Sequence, residues 1–222
     1  QGAWMEQMQG AGLYGDGSYK RPIVYNVGNF TAPTAETPSL LTLDEVETLF
    51  HEFGHALQGM LTTAPYKSLA GTNVDRDYVE LCSQLYEHWG FAPEVLKKYA
   101  RHYKTGEAIP DDVIEKLTAS GTFNEGFVTT EAVGAAILDM MYGQQTEVAD
   151  PAAFEAEVAE KIGMPKEITF RYRSPYFKHI FGDDGYASGY YTYTWAQVLE
   201  ADAWELFEEK GIFDPKTAAS FK

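Results

Sequence analysis

Cysteine is almost absent from this chain. Among 222 residues there is one, Cys82, so no disulfide can form within the chain, and a reducing compartment, the cytoplasm, is expected. A single thiol also argues against a structural zinc domain, whose closed sites are usually cysteine-rich. Basic residues are scarce as well: 17 Lys and Arg stand against 33 Asp and Glu, a formal net charge of −16. A surface of that sign repels phosphate, so neither nucleic acid nor an anionic membrane is expected as a partner. No apolar run reaches the ~18 residues that a membrane-spanning helix needs. The opening QGAWMEQMQG has no initiator methionine, basic n-region or apolar core. It reads as the boundary of a fragment and not as a signal peptide.

What is present suits a globular domain. Hydrophobic residues make up 45% of the chain, enough for one sizeable core or two small ones. The most informative stretch is Thr42–Met60, TLDEVETLFHEFGHALQGM. Thr42 and Glu45 form a T-x-x-E capping box, with Asp44 and Glu45 acidic in the first turn. Leu43, Val46, Phe50, Phe53, Leu57 and Met60 recur at three- and four-residue steps, which predicts a helix that buries this stripe. On that helix His51 and His55 project ~40° apart, and Glu52 falls between ~60° and ~100° from them. Two imidazoles at i and i+4 can hold one Zn²⁺, and the adjacent carboxylate can take a proton from a water that the ion polarises. Gly54, mid-helix, costs ~1 kcal/mol relative to alanine, and its bareness would let another backbone approach beside the metal.

A catalytic zinc usually keeps three protein ligands and an open position, so a third ligand is required. Asp75 is read as the cap of a second helix running to about Trp89 and stopped by Gly90. Glu80 on that helix is a candidate, and by geometry alone Glu87 and His88 stay open too. Elsewhere, residues 1–21 read as loop and Pro22–Thr31 as a strand. Further helices are expected at 93–103, 111–119, 124–142, 151–162 and 189–209, with 164–188 irregular and aromatic. Tyr190 and Tyr193 share a face if helical, and phenols aimed at a developing oxyanion are worth several kcal/mol. Outside such a context the same tyrosines would be ordinary core aromatics.

HEFGHALQGM followed by DYVELCSQLYEHW resembles the thimet oligopeptidase and peptidyl-dipeptidase family of zinc metallopeptidases. So do GAWM, PIVYNVGNF and RYRSPYFKHIFGDDGYASGYYTYTW, and FHEFGHALQGM, GTNVDRDYVE and YARHY are closest to its bacterial, Dcp-like branch. The resemblance implies one Zn²⁺ per chain, held by His51, His55 and Glu80 of the V-E-x-x-S-Q segment, with Glu52 as the proton-transfer group. It implies catalytic roles for His179, Tyr186 and Tyr193, and contact with substrate for Tyr190. Gly71, which opens GTNVDRDYVE, is also assigned to substrate binding. This chain carries Cys82 where the family commonly has proline, and its His179–Tyr186 loop is slightly longer.

Arg171 or Arg173 could grip a terminal carboxylate through a forked guanidinium, or equally form a surface ion pair. The 22–31 strand could be an edge that pairs with an extended peptide, or purely structural. The expected fold is mainly α: a zincin-like helical catalytic domain with a short β edge strand or small sheet near the N-terminus. Residues 1–222 are expected to form one catalytic domain of a longer chain, whose missing N-terminal half would be a partner beside short peptide substrates. The expected reaction is release of C-terminal dipeptides. Alternatives are internal cleavage of oligopeptides, and a non-catalytic helical module that kept the motif.

Overall fold

The computed structural model describes residues 2–222. It is mainly helical, as expected, and its chain falls into two compact units. The first unit comprises the chain up to Asp75, Val79–Thr118 and Ala196–Lys222; the second comprises Arg76–Tyr78 and Ala119–Trp195.

The first unit begins with strands where the sequence reads as loop. Strand β1 (Trp4–Gln9) pairs antiparallel with β4 (Ile23–Val27), in a register that sets Trp4 opposite Val27 and Gln7 opposite Val24. The two-residue strands β2 (Gly12–Leu13) and β3 (Tyr19–Lys20) form the hairpin between them. Glycines in this stretch mask its strand character, and β1 is stabilised by a partner far along the chain, which local patterning does not register.

Helix α1 (Leu43–Leu61) starts as its sequence dictates. The Thr42 hydroxyl accepts the Glu45 N–H, and the Glu45 carboxylate accepts the Thr42 N–H at 2.8 Å. Its buried face is not the expected apolar stripe. Leu43, Phe53 and Met60 are exposed, whereas Glu52, Gly54, Ala56 and Gly59 are buried. Small residues occupy much of this face, and at Gly54 the bareness lets other backbone come close. A Cβ on Gly54 would lie 2.5 Å from the Cys82 carbonyl oxygen and 2.6 Å from Ser83 Cα.

The element meeting Gly54 is α2 (Leu81–Phe91). The helix expected from Asp75 is instead a 3-10 turn, Arg76–Tyr78, followed by α2 with Glu80 at its N-cap position. Gly90 does not stop α2 either: its bare face receives the Phe50 ring, which a Cβ would approach to 3.1 Å. Helix α3 (Pro93–Tyr99) is shorter than expected, because Arg101 pairs with Ala108 across a turn. Helix α4 (Asp111–Ser120) follows.

The second unit is built on α5 (Glu125–Tyr142) and α6 (Pro151–Lys161), the latter capped by the Asp150 carboxylate. Leu138, Val158 and Phe170 pack between them. The stretch read as irregular contains a 3-10 turn, Ser174–Tyr176, and α7 (Lys178–Phe181). Helix α8 (Thr192–Lys210) divides between the units after Trp195, and the chain closes with α9 (Pro215–Phe221), capped by Asp214. No helix among the described residues is long and apolar enough to cross a membrane.

Candidate metal centre

His51 and His55 stand one turn apart on α1, their rings 4.9 Å apart and nearly perpendicular. The close packing that Gly54 permits sets the start of α2 against them. Glu80 Oε2 lies 3.3 Å from His51 Nε2 and 3.2 Å from His55 Nε2. The three ligand atoms fall within 4.8 Å of one another. Glu80 is 1% exposed, and Ser83 Oγ donates to its Oε2 at 2.9 Å, fixing the carboxylate.

The other two sequence candidates are placed elsewhere. Glu87 Oε1 is 2.6 Å from Nδ1 of His51, on the side of the ring away from Glu80. His88 Nε2 meets Glu200 Oε2 at 2.5 Å while its ring stacks on Trp204. Geometry therefore singles out Glu80, two turns before Glu87 on α2.

The electrostatics of this cluster follow from burial and charge. Burial works against a charged His51, but hydrogen bonds and charge from Glu80 and Glu87 outweigh it and raise its pKa to about 10. Burial would raise Glu80, yet the two imidazoles hold it well below the usual carboxylate range. Glu52 is raised by burial, with His51 and His55 pulling the other way. Its Oε2 and the Nδ1 of His55 are buried without a hydrogen-bond partner among the described residues. Two imidazole Nε2 atoms and one carboxylate oxygen converging within bonding range of a common point are the donors a zinc or similar divalent ion takes. The residues present therefore fit such an ion.

The remaining sequence candidates, apart from Gly71, lie in the second unit. His179 packs among Tyr172, Tyr186, Tyr190 and Tyr193, with ring centroids 5.1 to 6.2 Å away. Tyr186 and Tyr193 stack at 5.6 Å with planes 7° apart. Tyr190 is 6% exposed, against Phe177 and Tyr172 in the core. Arg76, which sequence reasoning passed over, lays its guanidinium 4.8 Å from the centre of the Tyr186 ring; nothing local signals this. Arg173 pairs with the buried Glu155, and Arg171 lies over Tyr172 at 5.8 Å. Gly71, in the first unit, has φ +63° and is buried against Gln7 and Gly59. Any contact of Gly71 with substrate would come through its peptide groups.

The chain is similar in sequence to known proteins over nearly its whole length. It is 43% identical over 206 residues to the dipeptidyl carboxypeptidase of Escherichia coli, covering 90% of this chain and 30% of that protein. It is 44% identical over 226 residues to the Salmonella typhimurium dipeptidyl carboxypeptidase, covering 100% and 32%. With Salmonella typhimurium oligopeptidase A it shares 37% identity over 224 residues, 99% of this chain and 33% of that protein. The chain thus spans about a third of the length of these relatives. The sequence model of Peptidase family M3 matches residues 1–222, and with these identities over nearly the whole chain it follows that the chain belongs to peptidase family M3.

Proposed function

We propose that this chain is the zinc-binding catalytic part of a longer peptidase that hydrolyses short peptides and releases C-terminal dipeptides. The observation that carries the reading is the convergence of His51, His55 and Glu80, with the buried, unsatisfied carboxylate of Glu52 next to His51. His51, His55 and Glu80 would hold Zn²⁺. When bound, the ion polarises water and the scissile carbonyl. Glu52 accepts the proton of the attacking water and returns it to the leaving amine; its burial, which weakens its acidity, suits a group that must do both. Glu80 and Glu87 hold the His51 ring from both of its nitrogens.

For Tyr186 and Tyr193 the proposed role is hydrogen-bond donation to the substrate carbonyl, with His179 and Tyr190 packed around them. The edge of β4 away from β1, which no strand pairs among the described residues, offers backbone groups to an extended peptide, and Gly71 offers its peptide groups. Arg171 is the better candidate for a terminal carboxylate, since Arg173 is engaged by Glu155. The higher identity to dipeptidyl carboxypeptidases than to oligopeptidase A favours exo-cleavage over internal cleavage. The rest of a longer chain is the proposed partner, covering exposed side chains such as Phe53, Tyr66 and Phe123. A reducing compartment, the cytoplasm, is the proposed location.

The test is zinc content per chain together with cleavage of a quenched fluorescent peptide by wild type and Glu52→Gln. One zinc with activity lowered ~10²-fold or more in the variant is expected. Equal activity in the two would remove Glu52 from the chemistry, and failure to take up zinc would return the motif to a scaffold role.

A further inference from the structure

Helix α5 carries a single acid in its last apolar run, AAILDMMY. That acid, Asp139, is 2% exposed. No basic side chain pairs with it among the described residues. Its partners are backbone. Oδ1 accepts the Ser188 N–H at 2.8 Å and Oδ2 accepts the Tyr190 N–H at 2.9 Å. Two backbone amides of one turn therefore converge on one buried carboxylate, each on its own oxygen.

The turn at 188–190 is unusual in itself. Ser188 adopts φ +56°, the left-handed conformation that L residues seldom take. The end of α5 is shaped to receive it: a Cβ on Gly143 would lie 2.0 Å from Ser188 Oγ. The same turn brings the Gly189 N–H to the Tyr186 carbonyl at 2.8 Å and the Thr192 N–H to the Gly189 carbonyl at 3.1 Å. It is the segment that folds the chain back between Tyr186 and Tyr193, whose rings stack at 5.6 Å.

We propose that Asp139 is a positioning residue that sets Tyr186 and Tyr193 face to face by anchoring the Ser188–Tyr190 backbone. Its effect on turnover rests on the proposed function, in which those two tyrosines serve the substrate; its effect on the turn does not. The chemistry requires an acid. A carboxylate presents an acceptor oxygen to each of the two N–H groups, whereas the isosteric amide of asparagine would turn an NH₂ toward one of them. A residue needed only for its volume would tolerate that exchange.

The experiment compares wild type, Asp139→Asn and Asp139→Glu in the full-length protein, with Glu52→Gln as reference. It measures kcat and KM on a fluorescent peptide, zinc content, and amide hydrogen exchange resolved along α5 and 186–193. For Asp139→Asn the expected result is unchanged zinc content, at least a tenfold loss in kcat, and faster exchange confined to 188–190. Asp139→Glu, which keeps the charge and both acceptors, recovers part of the protection. The proposal is overturned if Asp139→Asn keeps wild-type kcat and wild-type protection at 188–190. It is equally overturned if exchange accelerates along the whole of α5, since the residue would then only hold the fold. Absence of Glu52-dependent cleavage in the wild type would defeat the peptidase reading, while exchange at 188–190 would still decide whether Asp139 anchors the turn.

Discussion

Glu87 Oε1 and His51 Nδ1 are 2.6 Å apart, so the imidazole is gripped on the side opposite the nitrogen that faces Glu80. A carboxylate there fixes the ring orientation and raises the basicity of Nε2, the proposed ligand atom. Replacing Glu87 by alanine is expected to weaken zinc binding ~10- to 100-fold. Competition against a chelator of known affinity measures this directly, and an unchanged zinc affinity would show that α1 packing alone orients the ring.

The helix pair should outlast removal of the ion. His51 and His55 both reach Glu80 without one, at 3.3 and 3.2 Å. Chelator-treated protein is expected to keep its far-ultraviolet circular dichroism and to regain one zinc when metal is returned. Loss of helical signal on chelation would show instead that the ion holds α1 and α2 together.

Gly54 has no room for a side chain. With Ser83 Cα and the Cys82 carbonyl 2.5 to 2.6 Å from where a Cβ would sit, Gly54→Ala must push α2 away from α1. Overpacking of this kind costs about 1–3 kcal/mol, sometimes more, against ~1 kcal/mol gained from alanine's helix propensity. A lower midpoint in thermal unfolding and weaker zinc binding are both expected, because the displaced segment carries Glu80. Wild-type values for both would mean that the contact is easily relieved.

The second unit should be acid-sensitive through Glu155. Burial opposes its ionisation, but hydrogen bonds from Ser174 and the charge of Arg173 win, and its carboxyl sits below the usual range. The Ser174 N–H reaches it at 2.5 Å. A carboxylate depressed in the folded state contributes stability that is present above its unfolded pKa of ~4.3 and is lost as pH falls through the folded value. Wild type should therefore lose more stability than Glu155→Gln between pH 6 and the acid range below ~4. Urea unfolding at a series of pH values reads the difference, and parallel curves for the two proteins would contradict it.

How far the sequence reaches can be judged element by element. The start of α1 was legible because a capping box is a three-residue relationship and H-E-x-x-H a four-residue one. The Thr42–Glu45 reciprocity and the shared face of His51 and His55 need no distant contact. Its buried face was not legible, since hydrophobicity pointed to Leu43, Phe53 and Met60 while the buried positions include Gly54, Ala56 and Gly59, and at Gly54 the close approach of other backbone leaves no room for a side chain. The start of α2 was misplaced for a related reason. Asp75 is a good cap on paper, but the chain spends Arg76–Tyr78 in a 3-10 turn and begins the helix at Leu81. That shift fixes the direction of Glu80.

The sequence by itself determined the H-E-x-x-H pattern of α1, the acidic composition, the mainly helical class and, through its long motifs, the family. By helical geometry alone it left Glu80, Glu87 and His88 open as the third ligand, because spacing within one helix cannot say which turn meets another, and only the family resemblance pointed to Glu80. In the tertiary structure the packing of α2 onto Gly54 brings Glu80 to the Nε2 atoms of both histidines, while Glu87 meets Nδ1 of His51 and His88 meets Glu200. The tertiary structure also decided that Asp139 faces the backbone of Ser188 and Tyr190, a relationship between residues 49 and 51 positions apart. Periodicity and capping act over a few residues of one element, whereas a ligand set or the pairing of a buried carboxylate is made where distant segments meet. Only the fold brings those segments together.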